Sequence, residues 1–277
     1  MKDKLDLLIA IPVKNEAKNL PNCLKCIGSN FAAKVVVIDS GSTDNTKEIA
    51  ANFGVEVVDF KWNGEFPKKR NWFLRNYNFD YSWVLFLDAD EFLTQEFKDE
   101  VSSKIVEPQI DGYWLNYTNF FMGKRLKGGY PLKKLALFKV GFAEYECLAE
   151  DNWSNLDMEV HEHPILQGKS GSIRSRIVHQ DFKNLDHYLA KHMEYSSWEA
   201  KRYYSFLDLN KGDFTLMQKI KYGLLKTPFV GPLYFLGSYI MYGGFLDGII
   251  GFHFSILKMS YFTQISLKII ELKGVDE

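Results

Sequence analysis

The residues of this 277-residue chain best suited to chemistry are Asp88, Asp90 and Glu91, at the end of Trp83-Val84-Leu85-Phe86-Leu87-Asp88-Ala89-Asp90-Glu91. The apolar run predicts a buried strand. Its acids then fall at the carboxyl edge of a sheet, where open α/β sheets bind ligands. On an extended segment Asp88 and Asp90 point the same way, because side chains alternate with period two. Clustered carboxylates repel unless a cation joins them. Oxygen ligands suit a hard divalent ion such as Mg²⁺ or Mn²⁺, and such an ion commonly brings phosphates with it. The plainer alternative is a strand that ends in a solvated acidic turn.

These acids need a scaffold, and the pattern around them supplies one. Leu7–Val13, Lys34–Ile38, Val55–Phe60 and Trp83–Leu87 read as strands. Glu16–Gly28, Asn45–Phe53 and Trp72–Tyr77 read as helices, the second capped by the turn Ser40-Gly41-Ser42-Thr43-Asp44. Alternating strands and helices predict an α/β fold with a doubly wound, mostly parallel sheet. After Glu91 the pattern becomes mixed. Strands are expected at Gly112–Phe121, Leu135–Phe138 and Ile173–His179, a basic glycine-rich loop at Gly123–Tyr130, and a long helix at Asn184–Tyr204. The expected division is a catalytic domain over 1–182 and a helical extension over 183–277.

Composition narrows the partners. A net charge of −1 points away from nucleic acid as a bulk electrostatic partner. Cys23, Cys26 and Cys147 make no disulfide framework, and Cys23-x-x-Cys26 sits in a helical pattern with no second CxxC, so reduced thiols are expected. The start, Met-Lys-Asp-Lys-Leu-Asp, shows no signal-peptide pattern, so a cytoplasmic location is expected. Phe229–Leu246 is an 18-residue run without a charge, interrupted by glycines and a proline. It follows Lys211, Lys219, Lys221 and Lys226. Cations beside an aromatic, amphipathic segment suit the surface of an anionic membrane. The alternatives are a helical pair packed on the catalytic domain, a second subunit covering it in a homo-oligomer, or a membrane span.

Four segments fall at strand ends of this one sheet: Ile11-Pro12-Val13-Lys14-Asn15-Glu16, Ile38-Asp39-Ser40-Gly41-Ser42-Thr43-Asp44, Phe66-Pro67-Lys68-Lys69-Arg70-Asn71 and Leu87-Asp88-Ala89-Asp90. In this order they resemble the family 2 glycosyltransferases of the GT-A nucleotide-diphospho-sugar transferase fold, over roughly residues 5–180. Arg70-Asn71-Trp72, Gly129-Tyr130-Pro131, Val160-His161-Glu162, Val178-His179 and Gly243-Gly244-Phe245-Leu246-Asp247-Gly248 extend the likeness to the bacterial lipopolysaccharide inner-core glucosyltransferases.

The resemblance implies a UDP-sugar donor, bound by Pro12, Asn15, Glu16, Asp39, Ser42, Arg70, Asn71, Asp88 and Ala89. Asp39 is similar to the family's base-reading aspartate; its plainer role is a turn residue bonded to its own backbone. Arg70 is similar to a cation near the diphosphate, where a guanidinium binds two oxygens at once. By the same resemblance Asp88 bonds the ribose or sugar, while Asp90 and His179 hold Mg²⁺ or Mn²⁺. It also implies a lipid-linked saccharide acceptor and a peripheral place at the inner face of the cytoplasmic membrane.

An acceptor hydroxyl that attacks the anomeric carbon must lose its proton. Single displacement inverts that carbon and needs one carboxylate opposite the leaving group. Glu162 is the first candidate base, Glu91 the second, and Glu150 and Asp151 follow. His161 and His163 could instead be a metal pair. The resemblance has one departure: those glucosyltransferases usually carry an arginine where this chain has Ala136, and if that arginine binds acceptor or diphosphate, Lys133 or Lys134 must substitute as point charges. A polyprenyl-phosphate or capsular-glycan transferase is the alternative enzyme, and a non-catalytic surface scaffold with a decayed site the alternative of another class. A nucleotide-sugar pyrophosphorylase is excluded, because its glycine-rich, arginine-containing loop is replaced by Lys14-Asn15-Glu16.

Overall fold

The structure is a computed structural model that describes residues 4–147, 157–159, 162–181, 184–208, 223–225 and 227–275. Glu150, Asp151, Val160, His161 and the four lysines from Lys211 to Lys226 lie outside the described residues. By contacts the chain divides into two units, Met1–Thr118 with Leu132–His179, and Asn119–Pro131 with Gln180–Glu277.

The first unit is built on β1 (Leu5–Val13), β2 (Ala32–Asp39), β3 (Glu56–Asp59), β4 (Trp83–Phe86), β5 (Glu91–Phe92) and β6 (Gly112–Phe121). The pair β7 (Lys124–Arg125) joins the end of β6, and β8 (Lys133–Lys139), β9 (Ala143–Tyr145), β10 (Pro164–Leu166) and β11 (Ser170–His179) follow. The main sheet runs β3-β2-β1-β4-β8-β6-β11-β5, and β9 pairs separately with β10. Strands β3, β2, β1 and β4 are parallel, with Ile9 level with Val35 and Leu85. Beyond β4 the pairings with β8 and β6 are antiparallel. The parallel half therefore presents four carboxyl ends, with those of β2, β1 and β4 side by side.

Period two sorts β1 cleanly. Leu7, Ile9, Ile11 and Val13 enter one core with α1 (Leu20–Ile27), α2 (Thr46–Asn52) and α4 (Gln95–Lys104). Leu8 and Ala10 enter the other, with Phe73 of α3 (Lys69–Asn76) and the rings of Phe60, Phe86 and Tyr145. Burial on both faces explains why β1 reads as an unbroken apolar run. Pro12 is part of this central strand rather than of the loop after it, level with Ile38. The β1–β4 register ends at Ala10 level with Phe86, with Leu87 N–H to Ala10 O at 3.0 Å as the bond beyond it, so Pro12, which has no N–H, sits where pairing with β4 stops.

Helix α3 begins before the expected Trp72, which brings Lys69, Arg70 and Asn71 into its first turn. Cys23 and Cys26 are free thiols on α1, and burial pushes both upward in pKa.

The second unit packs α5 (Leu185–Asp208) against α7 (Gly248–Val275), with α6 (Val230–Leu236) between them in sequence. Ala200, Tyr203, Val230, Ile265 and Ile269 form its core. Lys268 Nζ donates to Met193 O, Ser196 Oγ and Ser197 Oγ at 2.7–2.9 Å, tying α7 to α5. The uncharged run forms α6, a π-helical turn at Gly237–Met241 and a 3₁₀ turn at Gly244–Asp247. Among the described residues no single helix is long and apolar enough to cross a membrane. Val230–Met241 and Gly244–Gly274 pass together by length and composition, but the pair is bent by 70°.

Candidate active site

The loops after β1 and β2 are knitted into one wall. Asn15, at φ 58°, donates its N–H to Ser42 Oγ at 2.8 Å, and its side-chain oxygen accepts Thr43 N–H at 2.8 Å. Glu16 N–H meets Thr46 Oγ1 at 2.9 Å, and Ala17 N–H meets Asp44 at 3.1 Å. The Glu16 carboxylate accepts Asn19 Nδ2 at 2.8 Å just ahead of α1. Asp39 is fully buried at the end of β2, where Oδ2 accepts Gly41 N–H at 2.9 Å and Ser42 N–H at 3.0 Å. Burial alone would raise its pKa, but these bonds hold it below the usual carboxylate value. The turn role is therefore real for Asp39. Its Oδ1 takes only a 3.3 Å contact from Ser42 N–H, which leaves acceptor capacity there.

The acids after β4 do not continue the strand. Glu91 N–H donates to Asp88 O at 3.0 Å, closing a turn around buried Ala89. The expectation of two parallel acids on an extended segment is corrected, and the turn splits their tasks. Asp88 accepts Arg70 Nη2 at 2.6 Å and Lys134 Nζ at 2.8 Å. Burial would raise its pKa, yet Lys134 first and Arg70 second hold it well below the usual carboxylate range. Asp90 instead lies 3.8 Å from His179 Nε2. The short β5 causes this approach, because its Glu91 is level with His179 of β11 in an antiparallel pair.

Glu91 is 1% exposed, accepts Lys134 Nζ at 2.5 Å and receives Asp88 N–H at 3.1 Å. Burial pushes its pKa up to about 8 against the pull of Lys134, with Asp88 and Asp90 adding repulsion. Its carboxylate is thus held between Lys134 and the Asp88 amide, bracing the turn. Lys134 lies 5.1 Å from the Tyr117 ring centroid, and Ala136 packs in the core.

The first turn of α3 has no cap of its own, since Lys68 at the N-cap makes no side-chain cap bond. A distant carboxylate does that work. Glu159 Oε2 accepts Arg70 N–H and Oε1 accepts Asn71 N–H, each at 2.9 Å. These are two of the donors that every helix start leaves open. Arg70 also donates through Nη1 to Glu159 O. Lys68 Nζ forms a buried 2.6 Å ion pair with Glu162, and Lys69 Nζ reaches Val13 O at 3.2 Å. Asn71 is fully buried, and its amide mimics a strand partner for Tyr145, donating to its O at 2.9 Å and accepting its N–H at 2.8 Å. Asn71 thereby braces α3 against β9.

Asp88, Arg70, Lys134 and Glu91 thus form one cluster, with Asp90 and His179 beside it, Glu162 held on α3, and Asp39 in the β1–β2 wall. Glu159 and Tyr145 carried no signal in the sequence pattern. Among the described residues no three His, Cys, Asp or Glu side chains gather as a metal cage. A carboxylate and an imidazole are the donor pair present. They fit an ion that takes its remaining ligands from diphosphate and water. Arg70 Nε is buried without a hydrogen-bond partner among the described residues, a further donor for an anion.

Comparison with known proteins is decisive for the family. The family model described as glycosyl transferase family 2 matches residues 8–155. The chain belongs to glycosyl transferase family 2. The matched span holds β1, β2, α3 and β4 with their loops, and the GT-A fold expected from the sequence is the fold observed. This family 2 glycosyltransferase is 25% identical over 276 residues to the uncharacterized glycosyltransferase RT0209 of Rickettsia typhi, covering 93% of this chain and 87% of that one. It is 27% identical over 271 residues to RP128 of Rickettsia prowazekii, again covering 93% and 87%. The lipopolysaccharide core biosynthesis glycosyltransferase LpsC of Rhizobium meliloti is 25% identical over 270 residues, covering 91% and 87%.

Proposed function

We propose that this family 2 glycosyltransferase moves a hexose, glucose in the first instance, from a UDP-sugar to a lipopolysaccharide core or similar lipid-linked saccharide, with inversion at the anomeric carbon. In this reading it works peripherally at the inner face of the cytoplasmic membrane. The observation that carries it is the grouping of Asp88 with Arg70 and Lys134 at the carboxyl ends of the parallel strands, with Asp90 and His179 alongside. The likeness to LpsC supports the acceptor class.

Roles follow from the geometry. Asn15, Glu16 and Ser42 hold the nucleoside wall, and Asp39 Oδ1 is the acceptor available to a uracil N–H. Arg70 and Lys134 fix Asp88 as an ionised acceptor for sugar hydroxyls and put positive charge beside the diphosphate. Mg²⁺ or Mn²⁺ on Asp90 and His179 would act as a Lewis acid on the leaving nucleoside diphosphate. Glu162 is the proposed base, and its pair with Lys68 sets the carboxylate's orientation.

The test is UDP release over a panel of donors with Mn²⁺ or Mg²⁺, with and without a heptose-containing lipid acceptor. Acceptor-stimulated release with a UDP-hexose is expected, and no release with any donor overturns the reading. Glu162→Gln is expected to lower kcat by about 10²–10⁴-fold with donor KM little changed, the usual contribution of a general base. Near-normal turnover in that variant would remove Glu162 from the role.

A further inference from the structure

The basic loop and the glycine-rich tail motif have no role in the transfer chemistry proposed above, and the second unit joins them. The hairpin of β6 and β7 exposes Lys124 and Arg125, and exposed Lys127 follows. Asp247 accepts Lys127 N–H at 2.9 Å and Gly128 N–H at 2.9 Å, and Tyr242 O accepts Gly129 N–H at 2.9 Å. Contact is so close that a Cβ on Gly128 would lie 2.2 Å from Gly243 O, so glycine is required there. Leu126 turns inward against Phe121 and Phe254 and anchors the hairpin from below.

The turn it is bolted to is apolar and exposed. Ile240, Met241, Tyr242, Phe245, Leu246 and Ile249 fall within ten residues, with Met241 80% and Ile249 65% exposed. Scattered exposed apolar residues need no explanation, but a contiguous group marks an interaction site. From Thr227 to Leu257 the only acid is Asp247, and its carboxylate is bonded to the backbone of the basic hairpin. This part of the second unit therefore combines three exposed cations with an aromatic and aliphatic turn whose one acid is bonded to backbone.

The geometry points to a composite membrane-contact surface, in which the Gly237–Ile249 turn enters the interfacial layer of an anionic bilayer while Lys124, Arg125 and Lys127 meet its headgroups. This rests on the reading of the chain as a membrane-surface transferase. An anionic lipid surface is the occupant that matches both halves, apolar insertion and positive charge. The 70° bend between Val230–Met241 and Gly244–Gly274 keeps the turn from being part of one straight span. The cations come from a segment more than a hundred residues earlier than the tail they serve.

The test is co-sedimentation of the full chain with vesicles of phosphatidylcholine alone or with added phosphatidylglycerol. The wild type is expected to bind the anionic vesicles more tightly, and less so in high salt. Changing Lys124, Arg125 and Lys127 together to Glu should weaken binding to anionic vesicles at least tenfold while leaving the neutral ones unaffected. Met241→Asp with Ile249→Asp, at exposed positions that do not touch the core, should weaken binding to both. Wild-type protein that stays in the supernatant, or charge and tip variants that bind as the wild type does, overturns the proposal. So does a tip variant that turns a dimer into a monomer without changing vesicle binding, since the face would then belong to a second copy. UDP release assayed in detergent separates the two readings: vesicle binding without release from any donor refutes the transferase reading alone.

Discussion

Asp90→Asn is expected to lower sugar transfer by about 10³-fold or more while leaving the fold intact, because metal assistance contributes several kcal/mol to such a transition state. Among the described residues Asp90 and His179, 3.8 Å apart, are the donor pair proposed for such an ion. Its side chain is 20% exposed, so an amide of the same shape leaves no buried charge behind. Thermal unfolding should therefore shift little. Chelation of the wild type should match the variant in loss of UDP release, and Mn²⁺ should restore only the wild type. Equal activity of Asp90→Asn and wild type in Mn²⁺ would show that the ion, if used, is held elsewhere.

Arg70→Ala is expected to damage the structure and the site together. Arg70 is buried and meets Asp88 through one nitrogen and Glu159 through another. Burial works against its charge, but Asp88 more than offsets this, so its pKa is raised. Removing one partner of a buried pair strands the other and costs about 3–5 kcal/mol. For a unit of this size that corresponds to a fall in Tm of about 6–20 °C. Arg70→Lys should recover part of the stability but less of the UDP affinity, because an ammonium lacks the planar fork. Calorimetry and UDP titration of both variants check this. A Tm for Arg70→Ala within about 2 °C of the wild type would show that Asp88 and Glu159 do not depend on Arg70.

Much of the catalytic half is legible in the sequence, for physical reasons specific to each element. Strand β1 is buried on both faces, so it shows as a continuous apolar run, and β4 announces its end by switching from Phe86 and Leu87 to acids. The loops after them share one edge because parallel strands share a direction. The start of α3 is not legible, because no local residue caps it. Glu159, 89 residues away from Arg70, supplies the missing acceptor. The split between Asp88 and Asp90 is equally hidden, since a turn and a strand have the same residues and differ only in where Lys134 and β11 pull them. The departure at Ala136 shows the same limit in another form. The lost arginine could be seen, but only the fold shows that Lys134 reaches both Asp88 and Glu91. The basic hairpin reads as part of the catalytic half until its backbone is seen fastened to Asp247 and Tyr242.

The borrowed cap on α3 has a consequence for how the two sides of the pocket communicate. Glu159 secures the amides of Arg70 and Asn71, and Glu162 is paired with Lys68 on the same helix start. Glu159 and Glu162, the latter the proposed base, thus clasp the start of the helix that carries Arg70. Lifting that clasp would uncover two amide protons at once, so solvent exchange at Arg70 and Asn71 becomes a clock for how often the pocket comes undone.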